Sequence, residues 1–215
     1  MPPAIAVITG DIIASRRLGP AERLSAVLDH ALSRLASRFG AVSERYRGDG
    51  FQLVLPQAWQ GVTAAVLLRA ELIRHSRPRQ RWDARLAIAI GHDDRWRDDS
   101  RIAEAGSAPF VASGQTLDAL DGDHHLALRL ASGDSPCLAL LIRHLDAMLE
   151  GWPPAAAEAI AERLCHAESQ QALAERLGIS QPAVHKRLRT AHWPLLQETL
   201  SYLERRLKEE SEAHD

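Results

Sequence analysis

The sequence predicts an α+β protein: a ferredoxin-like antiparallel sheet with helices on one face, followed by an all-α domain that contains a helix-turn-helix. Three observations support this fold class. Strand-like and helical patterns alternate through residues 4–130, a cluster of turn residues interrupts the chain at 132–136, and every pattern after that cluster is helical. We therefore expect two domains, one of residues 1–134 and one of residues 135–215.

The first domain begins with an apolar, β-branched run at 4–13, which is typical of a strand buried on both faces. Apolar residues at spacings of three and four then predict an amphipathic helix from Leu24 to about Gly40. The Asp-Gly pair at 49–50 is a strong hairpin signal between two short strands. With the later elements, the order is that of a ferredoxin-like β-α-β-β-α-β unit. The remaining predicted elements are strands at 41–47, 51–55, 85–90 and 125–130 and helices at 61–75 and 110–120.

Residues 170–188 carry the pattern of a helix-turn-helix. Ala174 is small where two helices would cross, Gly178 permits the left-handed backbone that ends the first helix, and Ile179 would fill the corner. Ser180 would cap the second helix. Two ordinary core helices joined by a short turn are the alternative interpretation.

The outer face of the second helix is polar and basic. In the usual docking geometry the start of such a helix enters the major groove, so Gln181 and His185 would meet base edges. The basic residues that follow would mainly contact phosphates. The sequence therefore predicts double-stranded DNA as a partner, bound through Ser180, Gln181, His185, Lys186, Arg187 and Arg189.

The composition is that of a globular protein without membrane or disulfide signals. The net charge is −2 at pH 7 and the sequence pI is near 6.6, which argues against sequence-independent coating of DNA but not against a small basic module. The two cysteines, Cys137 and Cys165, have no metal-ligand spacing. With no secretory signal and no apolar run near the ~20 residues that cross a bilayer, we expect a cytoplasmic protein.

Two aspartates should meet at one end of the predicted sheet. In the ferredoxin-like order the third strand lies beside the first, so Asp11 at the end of strand one and Asp49 in the hairpin become neighbours. Adjacent carboxylates repel unless they share a proton or a cation, and Mg²⁺ carried by the phosphates of a nucleotide is a suitable partner. Gly10, Gly48 and Gly50 are predicted to let the phosphates approach the backbone. Alternatively, Asp11 simply ends a strand and Asp49 is an ordinary turn residue.

These motifs resemble those of a known group of enzymes. Ile8-Thr-Gly-Asp11-Ile and Arg47-Gly-Asp49-Gly-Phe51 are similar to the paired metal-binding motifs of class III nucleotidyl cyclases, and the second also resembles the signature hairpin of diguanylate cyclases. The whole arrangement, with its C-terminal helix-turn-helix, resembles the SatD family of bacterial proteins. The resemblance implies a nucleotidyl cyclase-like first domain with Mg²⁺ on Asp11 and Asp49.

The sequence departs from the cyclases where these enzymes stabilise the transferring phosphoryl group. The corresponding helix, about Val111 to Leu117, has neither the Asn nor the Arg of the cyclases, and diguanylate cyclases have Glu where Gly50 stands. Loss of such an arginine lowers phosphoryl-transfer rates by about 10³ to 10⁵. We therefore expect nucleotide and Mg²⁺ binding without turnover.

Together these features predict a transcriptional regulator, in which the sheet domain senses a nucleotide and the helix-turn-helix binds DNA as part of a homodimer. Leucines along the last helix, from Leu195 to Leu207, suit either a dimer contact or packing against residues 138–149. One alternative is an active nucleotidyl cyclase or nucleotidyltransferase with an accessory helical domain. Another is a DNA-binding protein whose first domain only dimerises.

Overall fold

The computed structural model describes residues 4–18, 20–46, 49–94, 96, 102, 106–133 and 135–212. The predicted strands and helices are present, with ends that differ from the prediction by a few residues. The strands are β1 (Ala4–Ile12), β2 (Val42–Arg45), β3 (Gly50–Leu55), β4 (Ala84–His92) and β5 (Leu126–Leu130). The α-helices are α1 (Ala21–Phe39), α2 (Gly61–Ile73), α3 (Ala108–Asp118), α4 (Pro136–Glu150), α5 (Pro154–Cys165), α6 (Gln170–Leu177), α7 (Gln181–Thr190) and α8 (Trp193–Glu212).

The strands form one sheet in the order β2-β3-β1-β4-β5. β1 runs antiparallel to β3 and β4, and β2 runs antiparallel to β3, which confirms the predicted ferredoxin-like order. β5 is parallel to β4, so the expectation of an antiparallel sheet is wrong for this strand. The reason is the connection between them, because α3 crosses over from β4 to β5 and a crossover allows parallel neighbours.

Helices cover both faces of the sheet, so the expectation of helices on one face is also wrong. Ala6 and Ile8 of β1 belong to the main core on the side of α1 and α2. Ile5 and Val7 cluster instead with Phe110 of α3, which packs on the opposite face. Alternate residues of a strand point to opposite faces, so the apolar run of β1 contributes to both layers.

α2 is the central helix of the molecule. All 13 of its residues are buried, because α1, α5 and α8 pack around it above the sheet. Ten of these residues are neither charged nor hydroxylated, which is typical of a helix that lies in a protein core or in a membrane. Within the described ranges, no helix is both long and apolar enough to span a membrane.

The C-terminal helices share the core of the sheet. α5 packs on α2, α4 packs on β5, and α8 packs on α2 and on the short 3-10 helix Ala58–Gln60. The predicted division at residues 134/135 falls between β5 and α4, and the apolar core continues across it. The two predicted segments therefore form one packed unit.

The leucine stripe of α8 packs within the chain. Four of its five leucines are 0 to 5% exposed, and α8 packs mainly against α2 and the 3-10 helix, with further contacts to α4. Packing is therefore the correct alternative for this stripe, with α2 as the main partner helix. A homodimer would need another contact surface. The buried leucines are Leu196, Leu200, Leu203 and Leu207, whereas Leu195 is 54% exposed.

A buried ion network connects the sheet to the helices. Arg69 of α2 is 0% exposed and donates to both oxygens of Asp83, at 2.8 and 2.9 Å, and to Asp146 of α4 at 2.6 Å. The other oxygen of Asp146 accepts from the backbone N–H groups of His125 and Leu126. Although burial opposes ionisation, the Arg69 guanidinium holds the pKa of Asp83 below its usual range. The network thereby fixes α2 and α4 to the start of β4 and β5.

Candidate DNA-binding surface and nucleotide site

α6 and α7 are joined by a tight turn that depends on Gly178. This residue has a left-handed conformation with φ of 65°. The N–H of Gly178 donates to the carbonyl of Glu175 at 3.2 Å, and the N–H of Ile179 donates to the carbonyl of Ala174 at 3.0 Å. These two bonds form a Schellman motif, which satisfies the last carbonyl groups of α6. Ala174 is 3% exposed, in agreement with its predicted place between the helices.

α7 begins at a serine cap and packs inward through two apolar residues. The Oγ of Ser180 accepts from the backbone N–H of Ala183 at 3.4 Å. Val184 and Leu188 are buried in the same apolar cluster as Leu173 of α6. α5 packs against both helices, so three helices form the unit that holds α7.

The outward side of α7 carries exposed polar residues, four of which are among the predicted DNA contacts. Val184 and Leu188 define the inward side, and the exposed residues lie away from it. Hydrogen-bonding and basic side chains on one exposed helix face suit the base edges and phosphates of a major groove. The predicted contacts among them are Gln181, His185, Lys186 and Arg189, and Thr190 is exposed as well.

Arg187 differs from the other predicted DNA contacts because it faces α5. Its Nη1 donates to Oε2 of Glu158 at 2.6 Å, and Oε1 of the same carboxylate accepts from Arg74 at the end of α2 at 3.2 Å. Arg74 also donates to Glu162 at 2.9 Å, and Glu162 accepts from Arg34 of α1 at 2.7 and 3.2 Å. A chain of ion pairs therefore runs from α7 through α5 to α2 and α1. A phosphate would have to displace Glu158 to reach Arg187.

The two predicted metal ligands lie at one end of the sheet. In the strand register, Asp11 is opposite Gly50 of β3 and opposite Arg85 of β4, and Asp49 is the residue before Gly50. Hydrogen bonding to Asp11, opposed by burial, raises the pKa of Arg85, and the charges of Asp11, Asp118 and Asp49 raise it further. The hairpin therefore brings the Asp49 charge to the end of β1 and the start of β4.

The aspartates supply hard oxygen ligands, but Asp11 already has a partner. Arg85 donates to both of its carboxylate oxygens, from Nε at 3.0 Å and from Nη2 at 2.5 Å. Among the residues that the structure describes, no three His, Cys, Asp or Glu side chains form a cluster for a metal ion. The residues therefore form no closed metal cage. A Mg²⁺ ion held here would have to bring phosphate and water oxygens of its own and would compete with Arg85 for Asp11.

The three glycines predicted to contact a nucleotide differ from one another. Gly10 is buried, and a Cβ there would lie 2.5 Å from Cδ2 of Leu86 and 2.7 Å from Cζ of Phe51, so packing alone requires glycine. A Cβ at Gly50 would have no atom closer than 4.0 Å, so there is space for a ligand to approach the backbone at this position. Gly48 lies outside the described residues.

A polar network beside the hairpin was not predicted from the sequence. Gln52 of β3 donates to Oγ1 of Thr9 at 2.7 Å and accepts from the hydroxyl of Tyr46 at 2.7 Å. Oγ1 of Thr9 also lies 2.7 Å from Oγ of Ser113 in α3. Burial, together with the charge of Glu44, raises the pKa of Tyr46. The available signal was that Thr9 and Gln52, polar residues in otherwise apolar strands, are register partners.

Comparisons with solved structures return nucleotide cyclase domains. The chain is 15% identical to the active GGEEF domain of a diguanylate cyclase from Vibrio cholerae, over 60% of this chain and 83% of that chain, with a TM-score of 0.44. It is 15% identical to a bacterial light-regulated adenylyl cyclase, over 60% and 76%, with a TM-score of 0.42. It is 13% identical to adenylate cyclases from Trypanosoma brucei, over 58% and 72%, with a TM-score of 0.43. No family model and no curated protein matches the sequence. At these TM-scores the similarities do not decide the function.

Proposed function

We propose that the chain is a DNA-binding regulator of the SatD type, whose helix α7 enters the major groove. The observation that supports the proposal is the exposed polar face of α7 on a helix held by the Gly178 turn and by Val184 and Leu188. Gln181 and His185 would contact base edges, and the exposed cations near them would contact phosphates. A dimer would present two such helices to a palindromic site.

The test is fluorescence anisotropy with a pool of random-sequence duplexes over a range of salt concentrations. The variant Lys186→Ala with Arg189→Ala removes two proposed phosphate contacts. We expect weaker binding and a slope of log K against log salt that is smaller by about 1.8. The control, Arg205→Ala with Lys208→Ala, removes the same charge from exposed positions of α8 and should leave the slope unchanged. Equal slopes for the wild type and the α7 variant would exclude this use of α7.

We also propose that the end of the sheet at Asp11 and Asp49 binds a nucleotide with Mg²⁺. The strand register, with Asp11 opposite the residue that follows Asp49, and the open approach at Gly50 favour this function. Asp11 would hold the Mg²⁺ ion through a carboxylate oxygen, and the guanidinium of Arg85 would then be able to bind a phosphate, which is a suitable partner for it. Binding would therefore replace the ion pair between Asp11 and Arg85 by two contacts between opposite charges, one of Asp11 with Mg²⁺ and one of Arg85 with a phosphate.

This second function is tested by thermal unfolding with nucleoside triphosphates and cyclic nucleotides, each with and without Mg²⁺. A ligand at 100 times its Kd adds about 2.7 kcal/mol of stability. We expect a Mg²⁺-dependent shift that disappears in Asp49→Asn and persists in Glu198→Gln, which alters an exposed carboxylate of α8. Chromatography of the incubated nucleotides distinguishes binding from turnover. If no nucleotide shifts the transition, the sheet has no such site.

A further inference from the structure

The loop between α2 and β4 is strongly cationic. Residues 74–81 read Arg-His-Ser-Arg-Pro-Arg-Gln-Arg and contain no carboxylate, in a chain whose net charge is −2. A local cluster of this kind is not required by solubility, because the charges of the whole chain nearly balance. The arginines divide into two that stabilise the fold and two that are exposed.

The two ends of the loop are anchored. Arg74 lies between Glu158 and Glu162 of α5, at 3.2 and 2.9 Å. Arg81 donates to the backbone carbonyls of Leu149 and Trp152, at 2.8 and 3.1 Å, at the junction of α4 and α5. Neither guanidinium is available to a ligand without loss of these contacts.

The tip of the loop is a tight turn that holds an arginine where glycine is normally found. The N–H and carbonyl groups of Arg77 and Gln80 are paired with each other at 2.9 Å in both directions. Arg79 has φ of 64°, and Pro78 precedes it. Proline at the second position and a positive φ at the third define a type II turn, which favours Gly or Asn at the third position. An arginine in this conformation costs free energy, so an observed outlier of this kind points to a use for the side chain.

A second segment brings two more arginines to the same place. Gln80 donates from Nε2 to the backbone carbonyl of Arg17 at 2.6 Å, which holds the loop against the short 3-10 helix Ser15–Arg17. All four arginines at this contact are exposed. The arginine tip is defined as Arg16, Arg17, Arg77 and Arg79.

The loop that carries Arg77 and Arg79 of the arginine tip begins beside α7. Arg74, the first residue of the loop, and Arg187 of α7 bind the two oxygens of one carboxylate, that of Glu158. Arg77 follows Arg74 by three residues, so its Cα lies within about 10 Å of the Cα of Arg74. The exposed guanidinium groups therefore follow a segment that lies beside α7 on its α5-facing side.

We infer that the arginine tip binds the phosphate backbone of the same DNA duplex, beside the groove that α7 occupies. The inference rests on the proposed DNA binding and extends the contact surface from the helix-turn-helix to the sheet. Guanidinium groups match phosphate oxygens in pairs of hydrogen bonds, and such contacts fix the position of a protein on DNA without selecting its sequence. The duplex is favoured over a free nucleotide because the loop begins beside α7.

The test uses Arg77→Gln with Arg79→Asn in the full chain. Asn tolerates the left-handed conformation at position 79, so the turn is retained. For two lost phosphate contacts, the ratio of wild-type to variant affinity for random duplexes should fall about 12-fold between 50 and 200 mM salt. The loss should be uniform across duplex sequences. The control Arg205→Ala with Lys208→Ala should give a ratio that does not change with salt.

The other outcomes separate the inference from the function on which it rests. If the wild type binds no duplex, the proposed function itself fails. If Lys186→Ala with Arg189→Ala weakens binding while the ratio for the tip variant is independent of salt, only the inference about the tip is overturned. The tip variant could instead lose the Mg²⁺-dependent shift in thermal unfolding caused by a nucleotide, while the ratio of wild-type to variant DNA affinity does not change with salt. That result would assign the tip to nucleotide phosphates and would also overturn the inference.

Discussion

Gly10 and Gly50 are close in the sheet, but the two positions differ in how strictly they require glycine. Gly10 pairs with Phe51, and Gly50 pairs with Asp11, so the two positions are adjacent across β1 and β3. A Cβ at Gly10 would lie 2.5 Å from Cδ2 of Leu86, whereas the nearest atoms to a Cβ at Gly50 would be 4.0 Å away. The sequence predicts that both glycines give phosphates access to the backbone. The packing distances assign a structural requirement to Gly10 and none to Gly50, where phosphate access stays a prediction.

We expect Gly10→Ala to lower the free energy of unfolding by about 1–3 kcal/mol, because an added methyl group has no room at this position. Gly50→Ala, the matched control, should change it by less than about 1 kcal/mol. Urea unfolding followed by tryptophan fluorescence measures both variants. Equal destabilisation by the two substitutions would contradict the packing argument.

Predictions for single side chains succeeded where strand order alone decides which residues are neighbours, and failed where the exact register or the packing of helices decides it. The nearness of Asp11 and Asp49 followed from strand order, which sequence patterns gave correctly. The bonds from Arg85 to Asp11 depend on the exact register of β1 and β4, and Arg187 turns inward because Glu158 of α5 lies beside it. Neither partnership has a local sequence signature, since each joins residues of different elements.

At the scale of elements, the turn between α6 and α7 depends on one left-handed residue. We expect Gly178→Ala to lower the free energy of unfolding by about 1–2 kcal/mol, because an L-residue is strained there. The control is Gly40→Ala, since Gly40 ends α1 at φ of 66° and a Cβ there would also have space, with the nearest atom at 3.7 Å. Thermal unfolding should show similar losses for both variants, and anisotropy should show weaker DNA binding for Gly178→Ala alone. Unequal losses in stability would mean that strain is not the common cause.

The elements themselves were largely predictable, but their layering was not. Periodicity identifies a strand or a helix because side-chain burial repeats with its geometry, and β1 to β4 followed in the predicted order. The same periodicity does not state on which face of a sheet a helix packs. The apolar run of β1 was correctly interpreted as a strand buried on both faces. Such a strand requires helices on both sides of the sheet, and α3 packs on the second side.

The whole molecule is connected by burial as well as by charge. The core is continuous from the sheet to α8, and Arg69 binds residues from both predicted segments. We expect Asp146→Ala to destabilise the protein by about 3–5 kcal/mol, because Arg69 and two backbone N–H groups lose their acceptor. The control Asp123→Ala removes an exposed carboxylate just before β5 and should have little effect.

In the Asp146→Ala variant, as in the wild type, urea unfolding should remain a single transition, with far-UV circular dichroism and tryptophan fluorescence coincident. Separate transitions for the two signals would show that the helices unfold independently of the sheet.

The same network determines how stability depends on pH. The pKa of Asp83 is lower in the folded protein than in an unfolded chain, because Arg69 stabilises its charged form. The stabilisation is therefore fully present above the ordinary carboxyl value of about 3.9 and is lost as the pH falls through the lower folded value. Asp83→Asn lacks this charge at every pH, so we expect it to be less stable than the wild type at pH 7 and to approach the wild type as the pH falls below about 4. Urea unfolding of the two proteins along an acid series measures the difference, and a difference that stays constant to low pH would contradict this role for the Asp83 charge.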